Sequence, residues 1–130
     1  AYDLLYTELQ QLEARHPGEF LMTEANGQRS RETITIATGA GVIAPGTVLG
    51  KVTASGKYVA SAVGASDGSQ NPTAIPIYGA DATSADVDVA AIVRDAEVNG
   101  HCLVYHADRD QPAEKAAANV ALAALGIIVR

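Results

Sequence analysis

A chain of 130 residues holds one domain, or one domain with an arm, and its single cysteine, Cys102, excludes an intrachain disulfide. A net charge of −6 argues against a face that neutralises nucleic-acid phosphates. The acidic start AYDLLYTELQ lacks the basic region of a signal peptide, and the longest weakly polar run, residues 116–129, is too short to span a bilayer; an acidic, soluble protein without a membrane partner is expected.

In residues 2–15, Tyr2, Leu5, Leu9 and Leu12 recur at spacings of three and four, which predicts a short amphipathic helix. Asp3, Glu8 and Glu13 lie largely off that stripe, and Pro17 and Gly18 end it. A helix of this length is marginal alone in water, so it docks on its own domain or on a partner. Residues 16–32, HPGEFLMTEANGQRSRE, then carry Phe20, Leu21 and Met22 with no period that would bury them in a helix or strand of their own. Asn26-Gly27 is a turn signal. The chain therefore divides into an extension (1–15), an extended N-terminal arm (16–32) and a β-rich body (33–130).

From Glu32 the pattern becomes that of strands. In ETITIA, Ile34 and Ile36 point one way and Thr33 and Thr35 the other. GAGVIAPGT reads as a turn-rich connection. TVLGKVT (47–53) and KYVA (57–60) flank a short glycine loop and form a hairpin. Residues 61–73 read as a loop. AIPIYG (74–79) is a strand whose Pro76 favours a sheet edge. DATSAD (81–86) is a turn. VDVAAIVRD (87–95) is the strongest strand, with Val87, Val89, Ala91 and Val93 on one face. EVNGHCLVY (97–105) is strand-like, with Asn99-Gly100 as a tight turn or bulge. Asp110 or Gln111 caps a helix that starts at Pro112, has Glu114 in its first turn and stops at Gly126; IIVR (127–130) is a terminal strand. The fold class is mostly β with many short strands and one C-terminal helix. Alanine and valine dominate the apolar residues, beside one Phe and twelve Gly, so part of the stability is expected from association.

No constellation supports catalysis, a metal or a cofactor. Gly64-Ala65-Ser66-Asp67-Gly68 matches G-x-S-x-G, but Asp67-Gly68-Ser69-Gln70-Asn71-Pro72 cannot start the helix that such a serine needs. His101 and Cys102 face opposite sides of a strand, and with His106, Asp108 and Asp110 they lack the paired spacing of zinc ligands. Asp81, Asp86 and Asp88 do not fit a calcium loop. A non-enzymatic protein is expected.

The blocks RHPGEFLMTEANGQRSRETITIATGAG, APGTVLGKVTASGKYVA, AAIVRDAEVNG and AEKAAANVALAALGIIVR resemble the head decoration protein family typified by the lambda head protein D, from about Arg15 to Arg130. The resemblance implies a β-clip body with an added helix. It also implies a cement protein that sits as a homotrimer at local three-fold positions on the outer surface of the expanded phage capsid. Its N-terminal arm would contact the major capsid protein and stabilise the head against internal DNA pressure. On that reading the capsid-binding arm comprises Pro17, Gly18, Glu19, Phe20, Leu21, Met22, Glu24, Asn26, Gly27, Arg29 and Arg31. Phe20, Leu21 and Met22 supply apolar contacts, Gly18, Asn26 and Gly27 the bends, and the arm orders by adding a strand to a neighbouring chain. Arg29 and Arg31 either pair with acids of the shell or remain solvated. The alternative is a carbohydrate- or small-ligand-binding β module, against which stand the absence of Trp and only five Tyr.

Overall fold

A computed structural model describes residues 18–25 and 29–130. The helix expected over 2–15, and the arm residues Pro17, Asn26 and Gly27, lie outside the described residues. In chain order the elements are Leu21–Glu24 (β1), Arg31–Ile36 (β2), Gly41–Ile43 (β3), Leu49–Lys51 (β4), Tyr58–Ala60 (β5), Pro72–Pro76 (β6), Ala80–Ala82 (β7), Val87–Ile92 (β8), Ala96–Val98 (β9), Pro112–Ala123 (α1) and Ile127–Val129 (β10). The class is mostly β with one helix near the C-terminus, as the sequence predicts.

Five strands close a barrel in the order β2-β5-β4-β6-β8. Its longest seam joins β2 to β8 antiparallel, from Arg31 opposite Ile92 to Ile36 opposite Val87. The alternation in ETITIA sets this register, because a slip by one residue would turn Ile34 and Ile36 outward. Both are buried, as are Val89 and Ala91 across the seam. The predicted hairpin is present as β4 and β5, with Leu49 opposite Ala60 and Lys51 opposite Tyr58.

The expectation that Pro76 marks an edge strand is corrected. β6 has β4 on one side and β8 on the other, and Pro76 is buried. Proline is tolerated because Pro72 and Pro76 occupy the first and last positions of the strand, where one missing donor does not interrupt the ladder. The Pro76 carbonyl still accepts from the Gly46 N–H at 3.0 Å. Two further strands replace expected turns. β3 and β7 pair antiparallel, Val42 opposite Asp81. Only after β7 does the turn come, where the Asp81 carboxylate accepts from the Thr83 N–H.

The second layer is a three-stranded sheet in the order β1-β9-β10. β9 pairs antiparallel with β1 and parallel with β10. Asn99-Gly100 opens a short 3₁₀ turn, Gly100–Cys102, in which the Asn99 side chain accepts from the His101 N–H. In α1, Pro112 takes the first turn and the Gln111 N–H donates to the Glu114 carboxylate. The helix buries Ala118 and Leu122, and Gly126 follows it with a positive φ.

Two cores result. Ile34, Ile36, Leu49, Ala74, Val89 and Ala91 cluster together from four of the barrel strands and so fill its interior. Phe20, Ile75, Ile92, Val98, Leu122 and Ile127 form the other core, between the outside of β6 and β8, the sheet and α1. The period of two in a strand divides the work: Ala74 and Ala91 turn inward while their neighbours Ile75 and Ile92 turn outward into the second core.

Candidate functional site

The residues assigned to the arm, where described, are built into the body. Gly18 adopts φ +69 and donates its N–H to the Ile77 carbonyl at 3.0 Å. It supplies a bend, as expected, but one that returns the chain to its own barrel. Phe20 is 1% exposed and sits in the second core. Room for its ring comes from Gly46, where an added Cβ would lie 3.4 Å from the ring and 2.8 Å from the Cys102 carbonyl. The Phe20 carbonyl accepts from the Asn99 N–H at 2.7 Å.

The expectation that Phe20, Leu21 and Met22 have no strand of their own is corrected by β1. The reason lies in the backbone: four residues are too few to show a period, and β9 supplies the partner from more than seventy residues away. A register shift between Leu21 and Thr23 lets the pairing resume beyond Met22, which remains 56% exposed. β1 has β9 on one side and no strand on the other among the described residues. It is an edge with an exposed methionine at its bulge.

Ion pairs frame that edge. Arg31 donates to Glu24 at 2.6 Å, and the Ser30 hydroxyl donates to the same carboxylate. The Arg31 guanidinium, with help from Ser30, holds the Glu24 carboxyl below its ordinary value against the opposing cost of desolvation. Arg29 pairs with Asp95 at 3.4 Å. Arg94 donates to the Arg29 carbonyl and to Glu32. Glu97 accepts from the Thr23 hydroxyl and from Arg130, and these two donors lower its pKa in that order. The two arginines expected to meet shell acids or solvent thus have partners inside the chain. A cleft of about 330 Å³ opens among Thr23, Glu24, Arg29, Asp95, Glu97 and Ile128.

Asp95, Glu97 and Arg94 belong to this site and sequence reasoning missed them. Asp95 was legible only as the end of a strand, yet it turns the corner into β9 with φ +51. Its carbonyl accepts from the Ala25 N–H at 2.9 Å and so holds the far end of β1.

The other sequence candidates are not brought together. Ser66 lies in a loop that leads to β6, not to a helix; Asp108 accepts from the N–H groups of Val63 and Gly64 in that loop. Buried Arg109 donates to the carbonyls of Ser61 and Gln70 and to that of Glu114. His106 is engaged with Asp108. Among the described residues no group of three or more His, Cys, Asp or Glu is placed to hold a metal ion. Asp86 is pushed down to about 2 by Lys57 and then by Thr38, Asp88 accepts from Thr35, and Asp81 from Thr83. Among the described residues no helix is long and apolar enough to cross a membrane.

The model of the family described as bacteriophage lambda head decoration protein D matches residues 10–127. No curated protein matches the chain. The match takes in β1, the barrel, α1 and the ion-pair frame except for Arg130. The chain therefore belongs to the bacteriophage lambda head decoration protein D family, a family of structural capsid proteins, and its role is decoration of the phage head.

Proposed function

We propose that this protein is a cement for the expanded head: it binds the outer surface as a trimer at local three-fold positions, and its N-terminal region contacts the major capsid protein. The reading is of a non-enzymatic protein that takes no cofactor and binds no nucleic acid. The observation that carries it is the edge of β1, which is open among the described residues. An unpaired edge offers main-chain donors and acceptors to a strand of a neighbouring chain, and side chains beside it select the register.

Within the arm the work divides. Gly18, Phe20, Glu24 and Arg31 hold the segment on the body. Glu19 and Met22 are exposed and, with the half-buried Leu21, would face the shell. Arg29 borders the same edge, in the cleft with Thr23 and Glu24. Val42 on β3 and Val120 on α1, 77% and 72% exposed, sit on separate elements, and a ring of copies needs two different patches for its contacts. Three arms per trimer add weak contacts into avidity, and bridging neighbouring capsid subunits opposes rupture under DNA pressure. If the lattice presents the site only after expansion, binding stabilises that state alone.

Co-sedimentation with empty expanded heads tests the reading. The full chain should saturate the heads, and Met22→Asp and a chain lacking residues 1–17 should bind at least tenfold more weakly while melting like the full chain. Undiminished binding by both variants would refute the role of this edge. Sedimentation equilibrium of the free protein tests the trimer.

A further inference from the structure

β9 and β10 run parallel and end together at Asn99-Gly100, the pair that the sequence marks as a tight turn or bulge. Asparagine before glycine is also the dipeptide in which the following amide nitrogen attacks the side-chain amide most readily, because glycine has no Cβ to hinder the approach. Glycine is required at this position: an added Cβ would lie 3.0 Å from Val129 Cγ1 and 3.4 Å from the Arg130 carbonyl, so β10 packs directly on the main chain of residue 100.

The electrophile and the nucleophile of that reaction are held in opposite ways. The Asn99 side-chain oxygen accepts from the His101 N–H at 2.9 Å, which polarises the amide carbon toward attack. The Gly100 N–H instead donates to the Arg130 carbonyl at 3.1 Å, which retains the proton that the nitrogen must lose. Asn99 has ψ 112, which turns the Gly100 nitrogen away from the Asn99 side chain. The flanks are fixed as well: the Asn99 N–H donates to the Phe20 carbonyl at 2.7 Å, and the Arg130 N–H to the Val98 carbonyl at 2.8 Å.

We propose that Asn99 is a deamidation site gated by β10: it reacts when the end of that strand lets go of Gly100, and water is the only co-reactant. In the open corner the Gly100 nitrogen gives its proton to solvent and bonds to Asn99 Cγ. The Cγ–Nδ2 bond breaks, Nδ2 takes a proton from solvent and leaves as ammonia, and a cyclic imide remains. Water then adds to either imide carbonyl carbon and breaks its bond to the Gly100 nitrogen, which regains a proton. Opening at Cγ gives aspartate, and opening at the main-chain carbon gives isoaspartate. Isoaspartate routes the chain through Cγ, so the carbonyl that accepts from the Cys102 N–H at 3.0 Å becomes a carboxylate and the turn is one bond longer. The gate does not re-form after that outcome. It belongs to the free chain and does not depend on head binding.

Loss of the Gly100 amide proton begins both hydrogen exchange and conversion, so one local opening sets both rates. The full-length protein is aged in mildly alkaline buffer, and peptide mass mapping separates residue 99 from the other Asn-Gly pair, Asn26-Gly27. Residue 99 should turn to acid roughly tenfold or more slowly than in the guanidinium-unfolded chain. Glu97→Gln frees the Arg130 side chain, and Val129→Ala strips the contact beside Gly100. Each should raise conversion and Gly100 amide exchange together, several-fold. Ile36→Val in the barrel should leave both unchanged, which separates opening of β10 from general loosening. Four results would overturn the proposal: conversion in the folded protein as fast as in the unfolded chain, no conversion in the parent or in either β10 variant while the unfolded chain converts fully, conversion that does not follow Gly100 exchange, or equal acceleration by Ile36→Val.

Discussion

In the five-stranded barrel every strand has a neighbour on both sides, whereas in the β1-β9-β10 sheet, among the described residues, only β9 does. Closure removes edges, so the barrel offers nothing for a foreign strand to pair with. Among the described residues the sheet leaves β1 open and surrounds it with ion pairs: Arg31 with Glu24, Arg29 with Asp95, Arg94 with Glu32 and Arg130 with Glu97. Partly exposed pairs of this kind contribute little to stability and are screened by salt. They position side chains around an edge more than they hold the edge down. The two regions are nonetheless one structure, because β6 and β8 give alternate residues to the interior and to the second core. The contrast teaches that an open edge, the one proposed to meet the head, can be carried on a segment that is itself anchored in a core.

The largest expected effect tests that anchoring. Phe20→Ala removes a buried ring and should destabilise the protein by about 3–5 kcal/mol, as much as Ile36→Ala in the barrel at about 2–5 kcal/mol. Urea unfolding reads both. A loss under about 1 kcal/mol for Phe20→Ala, within the range of surface substitutions, would mean that residues 18–25 are an appendage after all. The joint between the regions comes next. Arg109 is 5% exposed and its guanidinium bridges the 61–70 loop of the barrel to the first turn of α1 through three carbonyls and the Ser61 hydroxyl. Lysine cannot reproduce that fork, so Arg109→Lys should cost about 1–3 kcal/mol. Separate transitions for barrel and sheet in the variant, seen as probe-dependent unfolding curves, would sharpen the contrast; a single shifted transition would show that the shared strands suffice to couple them.

Much of the barrel was legible because its strands alternate. Ile34 and Ile36, the Leu49–Ala60 hairpin and the Val89–Ala91 face all follow from a period of two. The strands β3 and β7 were not legible: Gly41-Val42-Ile43 and Ala80-Asp81-Ala82 are three residues each, too short for a period, and each exists because the other is opposite. The same holds for β1. Residues 16–32 read as an arm because their apolar residues show no period, while the partner that orders Leu21–Glu24 lies at residues 96–98. The ion-pair frame was invisible for the same reason of distance. Nothing local tells Arg29 that Asp95 is its neighbour, and the positive φ of Asp95 has no signature, since aspartate is only moderately favoured there.

A smaller effect concerns acid. The Glu24 carboxyl lies below its ordinary value of 4.5 in the folded protein, chiefly through Arg31. Its contribution is therefore complete above 4.5 and is lost as pH falls from there through the lowered folded value. Glu24→Gln should reduce stability at neutral pH by about 1 kcal/mol or less, since Arg31 is partly exposed. The variant should also lose stability less steeply than the parent below pH 4.5. Exchange of the β1 amides in acid would show whether this edge loosens before the barrel; equal slopes for parent and variant would remove Glu24 from the latch.

The smallest effect separates backbone from charge at the corner that holds β1. Asp95 has φ +51, a conformation in which a Cβ costs about 1–2 kcal/mol and aspartate or asparagine is tolerated best. Its exposed pair with Arg29 is worth about 0–1 kcal/mol. If the backbone dominates, Asp95→Asn should stay within about 0.5 kcal/mol of the parent, and Asp95→Gly should be more stable than Asp95→Ala by about 1 kcal/mol. If the ion pair dominates, all three variants should lose the same amount, and added salt should bring the parent down to meet them. Thermal melts at low and high salt distinguish the two. The first outcome would place the holding of β1 in the main chain, through the Asp95 carbonyl and the Ala25 N–H, and leave the side chains around it available for a partner.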